Sequence, residues 1–365
     1  MGDKQTRHPG QESEGDKGAH GCIAAVKPTQ THSIHTAKNM LPILYSFRRC
    51  PYAMRARWAL LQAGLLVQWR EIELKAKPAV MLEASAKGTV PVLVLSDGTV
   101  LDESLEVMRW ALTKADPRGL LNSGDPEPWI STNDGPFKHH LDRFKYTDRY
   151  PGEQRQIHRE AGLAILKGWS DRIRQKGWIS GDRIGLADGA LWPFVRQWRI
   201  ADPEGFDADP DLQPLRRWLN GFLQDPGFER LMQRADPWSE AGLQPQFPAD
   251  AIPVPLDQPL FHLAMATDWQ QARAAGSYRI STRGMDLEQV GFIHCSWPEQ
   301  LASTHRRFYA DLDPDAVLLL DINPAQLDAP LRADASPTGE LFPHLYGPLP
   351  LQAVTRVGPY QPKAC

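Results

Sequence analysis

Apolar positions follow three successive patterns along this chain. From Leu41, the run Leu-Pro-Ile-Leu-Tyr-Ser-Phe is short, apolar and bounded by charge, which predicts a buried strand. A helix follows over 51–63, with Pro51 suited to its first turn and Gly64 to its end. Alternation over 67–74 predicts a second strand, 78–84 a short helix and 90–95 a third strand. Asp97-Gly98 is a hairpin turn signal, and the return strand starts at 99–101. Asp102-Glu103-Ser104 leads into a helix ending near Lys114. The order β-α-β-α-β-β-α fits a thioredoxin-like α/β domain over 40–116.

Helical spacing then takes over. Ile157, Ala161, Ala164, Ile165, Leu166, Trp169 and Ile173 give 153–176 one apolar face, and shorter helices are predicted over 189–200, 212–223 and 227–234. Residues 125–243 read as an all-α domain. Five prolines (Pro245, Pro248, Pro253, Pro255 and Pro259) mark 244–258 as a Pro-rich linker. Strands return beyond it over 260–264, 291–296, 316–322 and 352–357. Helices are predicted over 268–275 and from the capping pattern Ser296-Trp297-Pro298-Glu299 to about 310. Residues 259–360 read as a small α+β domain. The chain is thus multidomain.

Composition narrows the function classes. Of 365 residues, 42% are hydrophobic and 23% charged, which is globular usage. Lys+Arg 41 against Asp+Glu 44 leaves a net charge of -3, so neither nucleic acid nor an anionic membrane is an expected partner. Residues 1–39 mix both charges with Gly and His, carry no secretory pattern, and read as a disordered tail. Their histidines (His8, His20, His32 and His35) are irregularly spaced, and no metal site is expected. Four cysteines without a CxxC pair argue against a disulfide framework and for a reducing, cytoplasmic compartment.

Cys50 is the sharpest chemical feature. It falls between a strand end and a helix N-terminus, directly after Arg48 and Arg49. Both surroundings favour a thiolate, the nucleophilic form. A buried structural cysteine is the alternative, and spacing alone does not separate the two. Val90-Pro91 opens a strand, where a cis peptide turns the Val90 amide outward. Glu103-Ser104 opens a helix, which suits a carboxylate. Lys77 adds a positive charge.

In this order, Ser46-Phe47-Arg48-Arg49-Cys50-Pro51-Tyr52-Ala53, Lys75-Ala76-Lys77-Pro78, Gly88-Thr89-Val90-Pro91 and Asp102-Glu103-Ser104 resemble the glutathione transferase superfamily, in particular its cysteine-type, omega-like members. The resemblance spans 41–240. It implies a glutathione transferase acting as a thiol transferase or dehydroascorbate-like reductase, with Cys50 attacking as thiolate through a glutathione mixed disulfide. It implies that Val90 pairs through its backbone with the cysteinyl part of glutathione, beside a cis-Pro91. Glu103 and Ser104 hold the γ-glutamyl end, and Lys77 meets the glycyl carboxylate. The cosubstrate is glutathione, the second substrate a small electrophile or disulfide, and the assembly a homodimer. Family members usually carry Ser or Thr three residues before Asp188; this chain has Gly185.

Leu-Phe-His-Leu (260–263), Gly-Phe-Ile-His-Cys-Ser (291–296) and Phe-Pro-His-Leu-Tyr-Gly-Pro-Leu (342–349) resemble the uncharacterised family called domain of unknown function 952. That family is distantly similar to the ADP-ribosyltransferase fold, which implies a nucleotide, NAD, as ligand. The pocket candidates are His262, Ser281, His294, Ser296, His344 and Tyr346. Spacing leaves a zinc site, structural histidines and a polar ligand pocket open, although no HxH or HExxH pair supports zinc. Under this alternative the transferase part is a binding or dimerisation module and the last domain carries the activity.

Overall fold

The computed structural model describes residues 41–361 apart from Leu243, so the tail at 1–39 lies outside the described residues. The first layer runs β1 (Ile43–Ser46), α1 (Pro51–Gln62), β2 (Val67–Glu71), α2 (Ala79–Ala84), β3 (Val92–Val94), β4 (Val100–Leu101) and α3 (Ser104–Lys114). Strands β1 and β2 are parallel; β3 and β4 extend the sheet antiparallel. This is the expected thioredoxin-like arrangement. Pro51 stands at the start of α1, where its missing N–H costs nothing. The helix buries Ala53, Met54, Ala56, Ala59 and Leu60 against the sheet and the helical domain.

The helical domain comprises α4 (Glu127–Thr132), α5 (Lys138–Lys145), α6 (Arg155–Lys176), α7 (Leu186–Ala201), α8 (Pro203–Ala208), α9 (Gln213–Gln224) and α10 (Pro226–Leu231). Buried Asp188 ties it together. It accepts the amides of Ile179 (2.9 Å), Ser180 (3.2 Å) and Gly185 (3.0 Å) and the indole N–H of Trp218 (2.8 Å). Gly185 has a steric reason: a β-carbon there would stand 2.6 Å from Ser180 Oγ and 2.7 Å from Ser123 Cβ. A hydroxyl residue at 185 has no room.

The proline-rich segment differs from the expected linker. Its residues form β5 (Gln246–Phe247), which pairs with β2, and β6 (Ala251–Pro253), which joins the sheet of the last domain. Phe247 is buried edge-to-face on Trp69, with ring centroids 5.7 Å apart. Edge strands tolerate proline because one row of their N–H groups faces away from the ladder.

The last domain runs β7 (Leu260–Met265), α11 (Ala266–Ala275), β8 (Ser277–Tyr278), β9 (Ile280–Thr282), β10 (Met285–Asp286), α12 (Leu287–Val290), β11 (Ile293–His294), α13 (Leu301–Phe308), β12 (Val317–Ile322), β13 (Leu331–Ala335), β14 (Leu341–Leu345), β15 (Leu349–Pro350) and β16 (Val354–Pro359). Two sheets, ordered β16-β12-β7 and β11-β14-β13-β6, meet through the bridge of Phe261 with Ser296. The strand expected over 291–296 is therefore only β11 plus that bridge. Among the described residues, no helix is long and apolar enough to cross a membrane.

Candidate functional site

Cys50 occupies the N-cap position of α1. Two buried charges set the loop before it. Arg57, fully buried in α1, donates to the Arg48 carbonyl at 2.7 Å, and Glu71 accepts the Arg48 amide at 2.6 Å. Arg57 and Glu71 face each other at 4.0 Å. Burial lowers Arg57 to about 10 and raises the Glu71 carboxyl, while their mutual attraction opposes both shifts. This brace holds residues 48–50 against the helix end.

The charge state of Cys50 departs from the expectation. Burial pushes its thiol up, against the pull of the Ala53 and Tyr52 amides and of Arg57 and Lys138. The helix N-terminus acts as expected, but the cations that pull are Arg57 and Lys138 rather than Arg48 and Arg49. Cys50 Sγ lies 3.8 Å from the Val90 carbonyl oxygen.

The other expected residues come from the loop before α2, the entry to β3 and the start of α3. The Val90-Pro91 peptide is cis. Lys77 is exposed, and its Nζ lies 3.5 Å from where a β-carbon on Gly88 would stand, which puts it over the loop leading to Val90. Glu103 caps α3 and is exposed, in an ion pair with Lys87 at 2.7 Å. Ser104 is buried, and its Oγ accepts from Arg55 Nε at 3.0 Å. Arg55 in turn clamps Asp134 through both terminal nitrogens, at 2.9 and 2.8 Å. Arg55, Asp134 and Lys87 escaped the sequence reading. Arg55 sits in an otherwise apolar helix face, and that break in pattern was the available signal.

A cleft of about 690 Å³ opens beside Cys50. Arg48, Arg49, Lys138, Lys145, Arg149 and Arg196 line it, against a single carboxylate, Asp142. Lys138 is paired with Asp142. Burial and the neighbouring Arg196 lower the Lys145 ammonium, as expected where cations crowd. Tyr146 also lines the cleft, whereas Phe137 is core.

In the last domain, five of the six candidates form one connected network. His262 is buried, with Nδ1 2.6 Å from the His294 carbonyl oxygen and Nε2 3.0 Å from the Tyr278 hydroxyl. Ser281 Oγ lies 3.0 Å from His294 Nδ1. The His294 and His344 rings are 5.1 Å apart, and Phe292 stacks on His344 at 4.0 Å. His344 Nδ1 and the Tyr346 hydroxyl meet Asp334 Oδ2 at 3.0 and 2.7 Å. Ser296 stands apart, 3.3 Å from Thr304. Cys295 is buried.

Asp334 was not foreseen, yet it anchors the network. Arg332 and Arg230 both reach its Oδ1, at 2.8 and 2.5 Å. Burial raises its carboxyl, but the His344 hydrogen bond and the two guanidinium groups outweigh that and hold it well below the ordinary range. Arg230 belongs to α10, so the helical domain and the last domain share this centre. His344 and Tyr346 line a cleft of about 700 Å³ with α10; His262, Ser281, His294 and Ser296 do not line it. The six candidates therefore do not form a single open pocket.

Comparison with known proteins places these modules. Residues 44–119 match the family model described as glutathione S-transferase, N-terminal domain, and 140–221 match its C-terminal domain. Residues 263–357 match the model described as protein of unknown function (DUF952). Glutathione S-transferase omega-1 of Sus scrofa is 24% identical over 204 residues, covering 52% of this chain and 79% of that protein. The Mus musculus protein of the same name is 26% identical over 191 residues, covering 50% and 77%. Glutathione transferase Omega 3C from Trametes versicolor superposes with a TM-score of 0.45 at 20% identity, over 53% of this chain and 90% of that one.

Proposed function

For a chain that carries both domains of a glutathione S-transferase followed by a DUF952 domain, we propose glutathione-dependent thiol transfer at Cys50. The observation that carries the reading is the thiol at the N-cap of α1, held by the Arg57–Glu71 brace and touching the Val90 carbonyl. The glutathione seat in this proposal is the Val90 main chain for the cysteinyl part, Lys77 for the glycyl carboxylate, and Glu103 with Ser104 for the γ-glutamyl end.

The reaction runs in two exchanges. The Cys50 thiolate attacks the glutathione sulfur of a mixed disulfide. The Cys50–glutathione bond forms, the old S–S bond breaks, and the substrate leaves as a thiolate that takes a proton. Free glutathione thiolate then attacks the glutathione sulfur on Cys50, releasing oxidised glutathione and restoring Cys50. The net change converts the mixed disulfide and one free glutathione into the substrate thiol and oxidised glutathione, half of which came from the substrate. Burial pushes the Cys50 thiol up, so forming the thiolate works against that burial. The Tyr52 and Ala53 amides and the Arg57 and Lys138 charges are the groups that stabilise the resulting anion.

The cleft next to the sulfur supports a reading of the second substrate by its charge. Six cations against one carboxylate favour a small disulfide or electrophile that carries a negative charge. NAD does not enter the proposal, because His262, Ser281 and Ser296 are buried and engaged by protein partners. The test is Cys50→Ser. Thiol transfer from a glutathione mixed disulfide is expected to fall to the uncatalysed rate, and full activity in that variant would refute the reading.

A further inference from the structure

A cluster of histidines lies outside every site described above. His139 and His140 follow one another on α5, and His158 comes from the first turn of α6. One ring nitrogen from each stands within 4.8 Å of the other two. His140 Nδ1 and His158 Nδ1 are 3.0 Å apart. Two imidazole ligands on a tetrahedral zinc ion stand about 3.4 Å apart, so this pair is near ligand spacing already.

The second observation is the partner of His158. Its Nε2 lies 2.7 Å from Glu153 Oε2. That contact puts the ring proton on Nε2 and leaves the Nδ1 lone pair facing His140. Histidines that bind metal are commonly oriented in this way, with a carboxylate on the far nitrogen fixing the tautomer. Glu153 is itself held by Arg143 at 2.7 Å, so the carboxylate is a fixed part of the arrangement. His158 is buried and His139 exposed, which leaves an open side for entry.

We propose that His139, His140 and His158 form a binding site for a divalent cation of the zinc type, with Glu153 orienting His158. Three neutral imidazoles leave the fourth tetrahedral position to water. The ligands come from two helices, so the ion binds only the packed arrangement and ties α5 to α6. Lys138, Leu141, Asp142 and Lys145 line the Cys50 cleft from α5, at helical spacing that leaves the histidines on another side. No sequence motif announces the site, because an adjacent pair and a residue eighteen positions on converge only through helix packing.

The experiment is a Zn²⁺ titration of the full chain by calorimetry, with His140→Ala/His158→Ala and Glu153→Gln alongside. Tail histidines and the cysteines contribute the same background to all three. The unaltered chain is expected to bind one more equivalent than the double variant and to gain thermal stability from Zn²⁺ that the double variant does not. Glu153→Gln is expected to weaken that equivalent about 10–100-fold. Equal stoichiometry in the unaltered chain and the double variant would overturn the proposal. Should the double variant not fold, His139→Ala at its exposed position decides: unchanged Zn²⁺ affinity there overturns the site.

Discussion

The ring of Tyr346 occupies the space that a side chain on Gly64 would need. A β-carbon built on Gly64 comes within 2.0 Å of Tyr346 Cγ, and Gly64 has φ +68°. Gly64 follows the C-terminal end of α1, and Cys50 caps the other end. The last domain is thus keyed onto the helix that Cys50 caps, and Arg332 Nη1 adds a contact to the Leu65 carbonyl at 3.5 Å.

Gly64→Ala should therefore cost about 2–4 kcal/mol, combining a left-handed backbone with overpacking. Tyr346→Ala removes the clash but not the φ strain. The double variant should fall short of the summed single effects by more than about 0.5 kcal/mol, measured by denaturant unfolding. Simple additivity would mean that the two residues do not meet.

Acid should loosen the last domain. Burial lowers His262 to about 4, against 6.5 for the free side chain. A histidine with a depressed native pKa contributes its full stability above the unfolded value, and that contribution is lost as pH falls from 6.5 toward 4. The loss approaches about 3 kcal/mol at the lower end. Asp188 and Glu71, whose carboxyls are raised, act with the opposite sign, so the difference between the unaltered chain and His262→Gln isolates the histidine. That difference should shrink with acidification; a pH-independent difference would contradict it.

The first layer was legible because its strands are short apolar runs and its helix has a proline at the start and a glycine just past the end. Those signals carried the order of the elements; the structure pairs β1 with β2 and with β3. Strands β13 and β14 were not legible. Arg332 and Asp334 point inward and are buried, so the alternation over Leu-Arg-Ala-Asp-Ala reads as a solvated strand or a loop. Pro343 interrupts the pattern of β14, although its carbonyl accepts the Cys295 amide at 2.8 Å. The position of Cys50 was readable from its neighbours in sequence. Its protonation was not, because the burial that raises it comes from the folded surroundings.

Charge in the Cys50 cleft should select substrates. Arg149→Met with Arg196→Met should raise KM about tenfold for a glutathione mixed disulfide bearing a carboxylate. The mixed disulfide of a neutral alcohol thiol should change little, and kcat should stay near its original value for both. Steady-state kinetics on the two substrates checks this; equal losses on both would mean that the cations do not read substrate charge.

The nucleophile itself is tested most directly by mass spectrometry of the reduced full chain after brief exposure to oxidised glutathione. A glutathionyl group is expected on the peptide that contains Cys50, and Cys50→Ser should carry one group fewer than the unaltered chain. An unmodified Cys50, or an adduct that persists in Cys50→Ser at the same level, would contradict the account.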